Sequence, residues 1–571
     1  MTLEIIKKHN LKKLSLRNNN MENITNQLFP HKLESVISMY KKYPKRILPK
    51  GAMVTRIAPS PTGFFHIGGL YMALISERFA HQTKGVYYLR IEDTDKKREI
   101  EGARKIISIS LCKYGLSPDE GEGLGGIERG IYGPYCQSDR KEIYKVFIKH
   151  LVEIGRAYPC FCSQSELDEM RKMQEEAKVR TGYYGIWAKW RDADKNLVKE
   201  MLDNNKEFVI RFKSTGDYKK SFSYKDLLKC SIEFPENDID TVIMKSDGLP
   251  TYHLAHVIDD HLMSTTHVLR GDEWISSIPL HYELFNTLEL EPPLYGHISP
   301  INKIDEYGHR RKLSKRKDPE ANVIYYDQKG YPRIAIIEYL MNLANSDFED
   351  WRNKNPTSHY TEFTLTFKKL AASAGPLFDE AKLRDISKEL IAKMTATEIY
   401  EDVVNWSSEY DSKFKDVLLS DKKYWVNAFS IERSIKKTRK DIACWSEIKR
   451  FFYFLIKEEF AKPDWLKFNS PLSKNEISDI LLQYSAEFSI NDLQDEWMNK
   501  IRRIAIKFNF APNAITFKDN KDKYRGHVGD IAQIIRYAIT DRTQTPDLYQ
   551  IIQVLGEQEC ARRISFGRNF D

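Results

Sequence analysis

Residues 54–69 read VTRIAPSPTGFFHIGG, and this stretch decides the fold. Its first five residues are rich in β-branched side chains and predict a short strand, which two prolines end. Three glycines then surround His66, and from Leu70 onward apolar residues recur one helical turn apart. A strand, a glycine-containing loop and a helix N-terminus form a phosphate-binding arrangement, because backbone N–H groups and the positive end of the helix dipole meet an anion there. The stretch therefore predicts a nucleotide site.

The composition of the chain is that of a globular protein with room for three or more domains. It has 571 residues, of which 41% are hydrophobic and 30% charged. Lys and Arg number 89 and Asp and Glu 81, and the net charge of +8 permits a polyanionic partner without requiring one. No run approaches 18 apolar residues, which predicts no membrane span. Seven scattered cysteines and the lack of an N-terminal signal core indicate a reducing compartment, so we expect the cytoplasm.

Strand patterns occupy the first part of the chain and helical spacing the rest. The N-terminal 50 residues suggest an extension with a helical piece at 31–40, followed by a linker. After the opening stretch, strands are predicted at 86–91, 208–213, 232–234, 240–244 and 266–270. From about residue 330 helical periodicity takes over, for example at 334–343, 448–460 and 531–538.

Charged side chains follow two of the predicted strands. Glu92 and Asp93 come directly after the strand at 86–91, and the ends of strands are where open α/β sheets bind ligands. A solvated acidic turn is the alternative. Arg270 ends the strand at 266–270, where it suits bidentate recognition of a carboxylate. A structural ion pair is the alternative for this arginine.

Two further patterns resemble known sites but lack the necessary context. The glycines at 121, 123 and 126 have G-x-G-x-x-G spacing, yet Ser117-Pro118-Asp119-Glu120 precedes them rather than a predicted strand, so we expect a flexible loop. Cys160 and Cys162 supply half of a tetrahedral zinc site, but residues 183–189 downstream contain neither Cys nor His. Two buried thiols are the better interpretation.

Residues 310–317 read RRKLSKRK and hold six basic residues. Gly308 precedes them and Asp318-Pro319 follows, which predicts a loop rather than a helix. Such a charge run is usually a solvated face and sometimes a nucleic-acid patch. A loop that carries lysines can also close over phosphates.

The sequence resembles the glutamyl-tRNA synthetase family of bacterial type. HIGG at 66–69 and KLSKR at 312–316 look like the HIGH and KMSKS signatures of class I aminoacyl-tRNA synthetases. RIAPSPTG at 56–63 is similar to the glutamyl-enzyme opening, whereas glutaminyl enzymes tend to carry a PPEPNG-like opening. Further matches are LRIEDTD at 89–95, QSDR at 137–140 and DGLPTYHLA at 247–255. The resemblance covers everything except the N-terminal extension.

The resemblance implies an α/β fold in which an acceptor-end-binding domain interrupts a Rossmann-type catalytic domain, followed by an all-α anticodon-binding region. The implied order is the N-terminal extension at 1–50, the first half of the catalytic domain at 51–135, the insertion at 136–250, the second half at 251–305, a stem-contact region with the KLSKR loop at 306–395 and helical anticodon-binding domains at 396–571.

The resemblance also implies a two-step reaction. The α-carboxylate of L-glutamate attacks the α-phosphorus of ATP, and the terminal adenosine of tRNA(Glu) then takes the glutamyl group. Because the nucleophiles are the substrates, catalysis rests on positioning and charge stabilisation. Mg²⁺ would accompany ATP, held largely by phosphate oxygens and water. We expect a monomer that binds L-glutamate, ATP and tRNA(Glu) without a membrane.

The implied catalytic residues are His66, Lys312 and Lys315, which face the ATP phosphates. The full set of implied ATP contacts is Thr62, His66, Gly68, Lys312, Ser314 and Lys315. For glutamate, Arg56 and Arg270 are expected on the carboxylates, Ser60 and Tyr252 as hydrogen-bond partners and Glu92 near the α-amino group. Ala58 and His256 complete that set, although several family members have Asn at the position of His256. Arg439 aligns with an anticodon-reading arginine.

Four other possibilities stand beside the main interpretation. Some bacterial members bind zinc through a Cys-x-Cys pair and a later Cys and His, but Trp187 and Lys189 stand at those later positions, so no zinc is predicted. A non-discriminating enzyme would also charge tRNA(Gln). A non-catalytic RNA-binding paralogue would have no physical reason to keep the whole set of His66, Lys312, Lys315, Arg56 and Arg270. Truncated paralogues that glutamylate a tRNA base lack anticodon domains, and the chain length argues against them.

Overall fold

The computed structural model describes residues 24–123, 126–370, 375–433 and 438–568. The chain separates into two units, one formed by Met1–Tyr325 with Ile337–Asp379 and the other by Tyr326–Ile336 with Glu380–Asp571. The first 23 residues of the predicted N-terminal extension lie outside the described ranges. The rest of that extension contains a helix at Val36–Lys42, where the hydroxyl of Ser35 caps the N-terminus. Within these ranges no helix is both long and apolar enough to cross a bilayer.

All strands found in the described residues belong to the first unit. They are β1 Val54–Ile57, β2 Val86–Leu89, β3 Glu120–Glu122, β4 Glu128–Arg129, β5 Ala157–Cys160, β6 Val209–Phe212, β7 Ser221–Asp226, β8 Cys230–Pro235, β9 Val242–Met244, β10 His267–Gly271, β11 Leu294–Ile298, β12 Asn302–Ile304 and β13 Arg310–Lys312 in the described residues. The five strands predicted after the opening stretch are present within one or two residues at each end.

Two neighbouring sheets of this unit contain parallel strand pairs. β1 pairs with β2 and β2 with β3 in parallel, and β10 pairs with β11 in parallel. The two groups of strands meet where the Thr266 amide donates to the Val54 carbonyl oxygen at 3.0 Å. β5, β6 and β9 form a separate antiparallel sheet, and β7 and β8 form a hairpin. Only Ile232–Phe234 of that hairpin carried a strand signal in the sequence.

The first part of the chain also contains a series of helices, of which those at Val323–Lys329 and Arg333–Ala344 are divided between the two units. The helices run at Ile67–Gln82, Ala103–Lys113, Lys141–Glu153, Gln164–Glu176, Lys195–Asp203, Tyr252–Leu262, Ile278–Thr287, Val323–Lys329, Arg333–Ala344, Asp347–Lys354 and Phe367–Leu370. The helix Ile67–Gln82 packs against β1, β2 and β10, and its Leu70, Leu74 and Ile75 are fully buried. Each such side chain contributes about 1.5–3 kcal/mol of burial free energy, which fixes the helix on the sheet.

The second unit is helical, as the periodicity predicts. Its remaining helices are Glu380–Lys393, Ala396–Tyr410, Ser412–Ser420, Lys422–Ser430, Ile448–Phe451, Lys474–Glu487, Gln494–Lys507, Ala514–Asp519, Val528–Thr540, Leu548–Leu555 and Glu557–Gly567. They enclose an apolar core that includes Phe414, Trp425 and Ile535.

The single helix expected at 448–460 is wrong. The α-helix ends at Phe451, and a 3₁₀ turn follows at Tyr453–Leu455. Side chains from elsewhere take the main-chain oxygens that a longer helix would use: Arg563 donates to the Phe454 oxygen at 2.6 Å and Tyr424 to that of Leu455 at 2.7 Å. Most apolar residues of the stretch are nevertheless buried, including Phe452, Leu455, Ile456 and Phe460, whereas Phe451 is partly buried.

Two loop predictions also need correction. The G-x-G-x-x-G segment is not simply a flexible loop, because Gly121 lies in β3 with a φ of 111° and a Cβ there would approach the Leu89 carbonyl oxygen to 2.2 Å. Its residues 124 and 125 lie outside the described ranges. The basic segment is not helical, as predicted, but its residues Arg310–Lys312 form β13, which pairs antiparallel with β12. In the turn between these strands the Asp305 carboxylate accepts hydrogen bonds from the Tyr307 and His309 amides.

Candidate active site

A cavity of about 600 Å³ lies at the carboxyl ends of β1, β10 and β11. This is the edge at which open parallel sheets bind ligands. The first turn of the helix Ile67–Gln82 and the segment 312–315 complete its wall. Of the residues predicted from the sequence, those that line the cavity are Ala58, His66, Gly68, Lys312, Ser314 and Lys315.

His66 caps the helix that begins at Ile67. Its Nδ1 accepts the Gly68 amide at 2.9 Å, which leaves the ring proton on Nε2. Burial and the nearby charge of Lys315 lower the pKa of His66 to about 4, so the ring is neutral at pH 7. A Cβ at Gly68 would lie 2.9 Å from that Nδ1, and one at Gly69 would lie 2.8 Å from the Phe65 ring. Only glycine fits both positions without moving an aromatic ring.

The two lysines reach the cavity from the segment 312–315. Lys315 Nζ donates to the Phe64 carbonyl oxygen at 3.2 Å, and Lys312 Nζ lies 3.6 Å from a carboxylate oxygen of Glu273. Asp318 shapes the loop, since its oxygens accept from Arg311 at 2.6 and 2.7 Å and from the Ser314 amide at 2.8 Å. The hydrogen bond from Arg311 is the main reason why the pKa of Asp318 falls to about 2. The loop is therefore held in a defined shape that presents both lysines to the cavity.

Arg270 lies at the end of β10 and is 5% exposed. Its guanidinium donates to His297 Nε2 at 3.0 Å, to the Tyr252 hydroxyl at 3.3 Å and to the Trp274 carbonyl oxygen at 3.3 Å. Its plane also lies over the Tyr295 ring, 4.5 Å from the centroid. All these partners are neutral, so the cation keeps its charge for an incoming anion.

A buried ionic network lies beside Arg270. Arg90 donates to Asp260 at 2.6 Å and to Glu92 at 2.9 Å, and Arg56 Nε lies 3.7 Å from Asp260. Tyr252 is close enough to Arg270, Glu92 and Arg56 to interact electrostatically with all three, although burial is the main cause of its raised pKa. The structure thus brings together four residues that the sequence predicts for glutamate: Arg56, Glu92, Tyr252 and Arg270.

His256 is fully buried and faces protein groups on both sides. Its Nε2 lies 2.8 Å from the Tyr295 hydroxyl and its Nδ1 lies 2.8 Å from an Asp260 oxygen. Burial lowers its pKa to about 3, so the ring is neutral. A substrate contact, which the sequence predicts, would require His256 to give up one of these neighbours.

The remaining predicted residues are not among those that line the cavity. Ser60 is exposed and Thr62 half-buried on the loop after β1, where the Thr62 amide donates to the Ser60 carbonyl oxygen at 2.9 Å. Arg439, in the helical unit, lies 2.8 Å from Asp441, and its side chain is 13% exposed. Its guanidinium also covers the Phe451 and Phe452 rings. Anticodon reading by Arg439 stays a prediction, and it would require this packed side chain to turn outward.

Of the cysteine pair, Cys160 is the last residue of β5 and Cys162 lies just after this strand. The sulfurs of Cys160 and Cys162 lie 3.5 and 3.6 Å from the Tyr183 hydroxyl, and Lys189 Nζ lies 2.8 Å from Glu166. Across the part of the chain that the structure describes, no three His, Cys, Asp or Glu side chains form a group that could hold a metal ion.

Sequence reasoning missed several residues that shape the site. Glu273 lines the cavity, and Asp260 joins Arg56 to Arg90. His281 and His297 contact Arg270, and Asp226 contacts His297. Glu273 follows Arg270 by three residues, and this proximity in the sequence could have indicated that Glu273 also lies at the site. Asp226, His281 and His297 carry no local signal, because their roles depend on distant segments that the fold brings together.

Comparisons with known proteins agree with this geometry. Residues 52–385 match the family model of the catalytic domain of class I tRNA synthetases (E and Q), and residues 517–568 match that of an anticodon binding domain. The glutamate–tRNA ligase of Acetivibrio thermocellus is 47% identical over 543 residues, which are 95% of this chain and 98% of that protein. The glutamate–tRNA ligase of Clostridium perfringens (strain 13) is 43% identical over 545 residues, covering 95% of this chain and 100% of the relative.

The fold agrees as well. The crystal structure of a glutamate tRNA ligase from Elizabethkingia meningosepticum, in complex with its amino acid, superposes with a TM-score of 0.73 at 24% identity. It covers 90% of this chain and 99% of that chain. The predicted fold class, an α/β class I catalytic domain followed by an all-α anticodon-binding region, is confirmed. The chain belongs to the glutamate–tRNA ligase family of class I aminoacyl-tRNA synthetases.

Proposed function

We propose that this protein ligates L-glutamate to tRNA(Glu) through a glutamyl-adenylate, with release of pyrophosphate and AMP. One observation carries the proposal: among the described residues the hydrogen-bond partners of the buried Arg270 guanidinium are neutral, and one of them, Tyr252, also lies within electrostatic reach of Glu92. A buried cation without a counter-ion is costly, and a substrate carboxylate would remove that cost. The relatives named above are glutamate–tRNA ligases, which agrees with this assignment.

The first step would occur between the amino-acid cluster and the nucleotide cavity. The glutamate α-carboxylate attacks the α-phosphorus of ATP, and the bond to the pyrophosphate oxygen breaks. His66 and the N-terminus of its helix would receive phosphate oxygens, because they offer N–H donors and no negative charge. Lys312 and Lys315 would neutralise the charge that develops on pyrophosphate. Mg²⁺ would enter with ATP, held mainly by phosphate oxygens and water, and we assign it no protein ligand.

At the amino-acid end, Arg270 and Arg56 would bind the carboxylates and Glu92 would accept from the α-ammonium group. Arg90 holds Glu92, so the carboxylate is oriented before substrate arrives. Glutamine in place of glutamate would leave a desolvated guanidinium without its anion, which costs several kcal/mol. The site therefore favours glutamate by charge rather than by size.

In the second step a ribose hydroxyl of the terminal adenosine of tRNA attacks the glutamyl carbonyl carbon, and AMP leaves. The anticodon-binding match at residues 517–568 supports tRNA as the acceptor. We also propose the domain limits implied by the sequence, a monomeric enzyme and a cytoplasmic location. Light scattering on the purified protein measures its mass in solution and so tests whether it is a monomer.

Exchange of labelled pyrophosphate into ATP, with and without tRNA, tests the proposed function. Glutamate and tRNA(Glu) together should support exchange and yield glutamyl-tRNA, and glutamine should support neither. Parallel charging of purified tRNA(Gln) separates a discriminating from a non-discriminating enzyme. Absence of both exchange and charging with full-length protein and cognate tRNA would instead indicate a non-catalytic paralogue.

A further inference from the structure

The guanidinium of Arg270 is approached by imidazoles from two directions. Its Nε donates to His297 Nε2 at 3.0 Å, and one terminal nitrogen lies 3.3 Å from His281 Nδ1. Both histidines are fully buried. Arginine has donors only, so each imidazole nitrogen that faces it must be an acceptor. This requirement fixes the tautomer of both rings.

The first arm consists of His297 and Asp226. Arg270 and His297 are direct partners in the parallel pairing of β10 with β11, so their side chains share one face of the sheet. An oxygen of Asp226 lies 2.6 Å from His297 Nδ1. A carboxylate at that distance accepts the Nδ1 proton, and the lone pair on Nε2 is then available to Arg270. Asp226 is itself fixed by the amides of Leu228 at 2.8 Å and Lys229 at 3.0 Å.

The second arm consists of His281 and His253. His281 Nε2 lies 3.0 Å from His253 Nδ1. Because His281 Nδ1 accepts from Arg270, its proton is on Nε2 and is donated to His253. Burial lowers the pKa of His253 to about 4 and that of His281 well below its usual value, so both rings are neutral at pH 7. The two arms come from different elements of the fold, the first from β7 and β11 and the second from the helices Tyr252–Leu262 and Ile278–Thr287.

We propose that these two arms, Asp226–His297 and His253–His281, position Arg270 for the side-chain carboxylate of glutamate and set the preference for glutamate over glutamine. A carboxylate in direct contact with Arg270 would hold it equally well, but it would also neutralise the cation and compete with the substrate. A neutral imidazole orients the guanidinium and leaves its charge to the ligand. His297 and His281 are therefore positioning residues that act through Arg270. The inference rests on the proposed function.

Substitution of His297 tests the first arm. His297→Leu removes the acceptor, whereas His297→Gln keeps an amide oxygen near the position of Nε2. In pyrophosphate exchange with tRNA, His297→Leu should raise the glutamate KM at least tenfold and lower the glutamate-to-glutamine ratio of kcat/KM at least tenfold. Its ATP KM should stay within twofold of the wild-type value. His297→Gln should recover most of both losses. His267→Leu is the matched control, since His267 lies on the same strand as Arg270 and contacts Phe367 instead.

The second arm provides a separate test if a His297 variant does not fold. His281→Leu should produce the same selective loss, and His281→Asn, which keeps an acceptor near Nδ1, should restore it. An equal rise in the KM of glutamate and of ATP would reveal a general structural defect and overturn the proposal. A glutamate KM and a glutamate-to-glutamine ratio within twofold of wild type in folded Leu variants would overturn it as well.

Calorimetric titration with L-glutamate alone separates this inference from the proposed function. Wild-type protein should bind glutamate, and His297→Leu should weaken the Kd at least tenfold. If wild type binds glutamate with this dependence on His297 but forms no glutamyl-tRNA, the proposed function is wrong and the positioning role stands. If wild type charges tRNA and His297→Leu binds glutamate within twofold of wild type, the positioning role is wrong and the function stands.

Discussion

Lys315 Nζ donates a hydrogen bond to the main-chain carbonyl oxygen of Phe64 at 3.2 Å, across 251 positions of sequence. The contact joins the loop before His66 to the KLSKR loop, so the two signature segments form one wall around the nucleotide cavity. Lys315 also helps to keep His66 neutral, since its charge adds to burial in lowering the pKa of the imidazole. The lysine is thus held at the cavity wall, and in the proposed reaction it would exchange this carbonyl oxygen for a phosphate oxygen of ATP.

Removal of the Lys315 ammonium should act on the chemical step. We expect Lys315→Ala to lower kcat in pyrophosphate exchange by about 100-fold to 1000-fold, which corresponds to about 3–4 kcal/mol of lost transition-state stabilisation. The glutamate KM should stay within threefold, because the lysine lies on the nucleotide side. Lys317→Ala changes an exposed lysine of the same loop and should leave both constants unchanged. A normal kcat in Lys315→Ala would remove this residue from the mechanism.

A methyl group at Gly68 should disturb ATP binding through His66. The added Cβ would lie 2.9 Å from His66 Nδ1, so the ring must rotate and lose the Gly68 amide. We expect Gly68→Ala to raise the ATP KM at least tenfold. Gly529 offers a matched control, because His527 Nδ1 accepts its amide at 2.9 Å in the same local arrangement within the helical unit. Gly529→Ala should cost similar stability with an unchanged ATP KM, and equal ATP effects of both variants would contradict the assignment.

Glutamate recognition should depend on the arrangement of the N–H donors of Arg270 as well as on its charge. Lysine keeps the charge but has no Nε–H for His297 and no second terminal nitrogen, so it cannot keep the contacts with Tyr252 and both imidazoles. We expect Arg270→Lys to lower kcat/KM for glutamate about 100-fold and Arg270→Gln to abolish glutamate use. Exchange assays with varied glutamate measure both. Near-normal glutamate activity in Arg270→Gln would exclude this residue from carboxylate recognition.

The sequence predicts the elements of the nucleotide site well because their signals are local. The β-branched residues 54–57, the prolines after them and the periodicity of the following helix each act over a few residues, and the structure has the strand at Val54–Ile57 and the helix at Ile67–Gln82. Arg270 was identified in the same way, as a cation at the end of a strand signal. Both predictions depend on neighbours along the chain.

The environment of Arg270 was not predictable in this way. His297 faces Arg270 because β10 and β11 pair in parallel with a particular register, and Asp226 reaches His297 from a hairpin 71 positions away. No local pattern encodes either relationship. The helix expected at 448–460 was wrong for a similar reason, since Arg563 and Tyr424 compete for its main-chain oxygens from distant helices. Contacts with residues distant in the sequence determine the conformation at such positions, and local propensity does not reveal these contacts.

The contribution of His81 to stability should depend on pH. Hydrogen bonds with Asp119 and Glu77, in that order, raise the pKa of His81 to about 9 in the folded protein. The folded state therefore binds the proton more tightly than the unfolded state, in which the pKa is near 6.5. The resulting stabilisation is fully present below pH 6.5 and is lost as the pH rises through 9. Because the His81 side chain is 34% exposed, solvent screening reduces this stabilisation, and we expect about 1 kcal/mol.

Urea unfolding of His81→Gln at pH 6 and at pH 10 measures this dependence. The variant should be less stable than wild type by about 1 kcal/mol at pH 6 and nearly equal to it at pH 10. His267→Gln is the control of opposite sign, since burial lowers the pKa of His267 and its proton binding opposes folding at low pH. That variant should lose no more stability at pH 6 than at pH 10. An equal loss at both values in His81→Gln would mean that the ring contributes by packing and not by its charge.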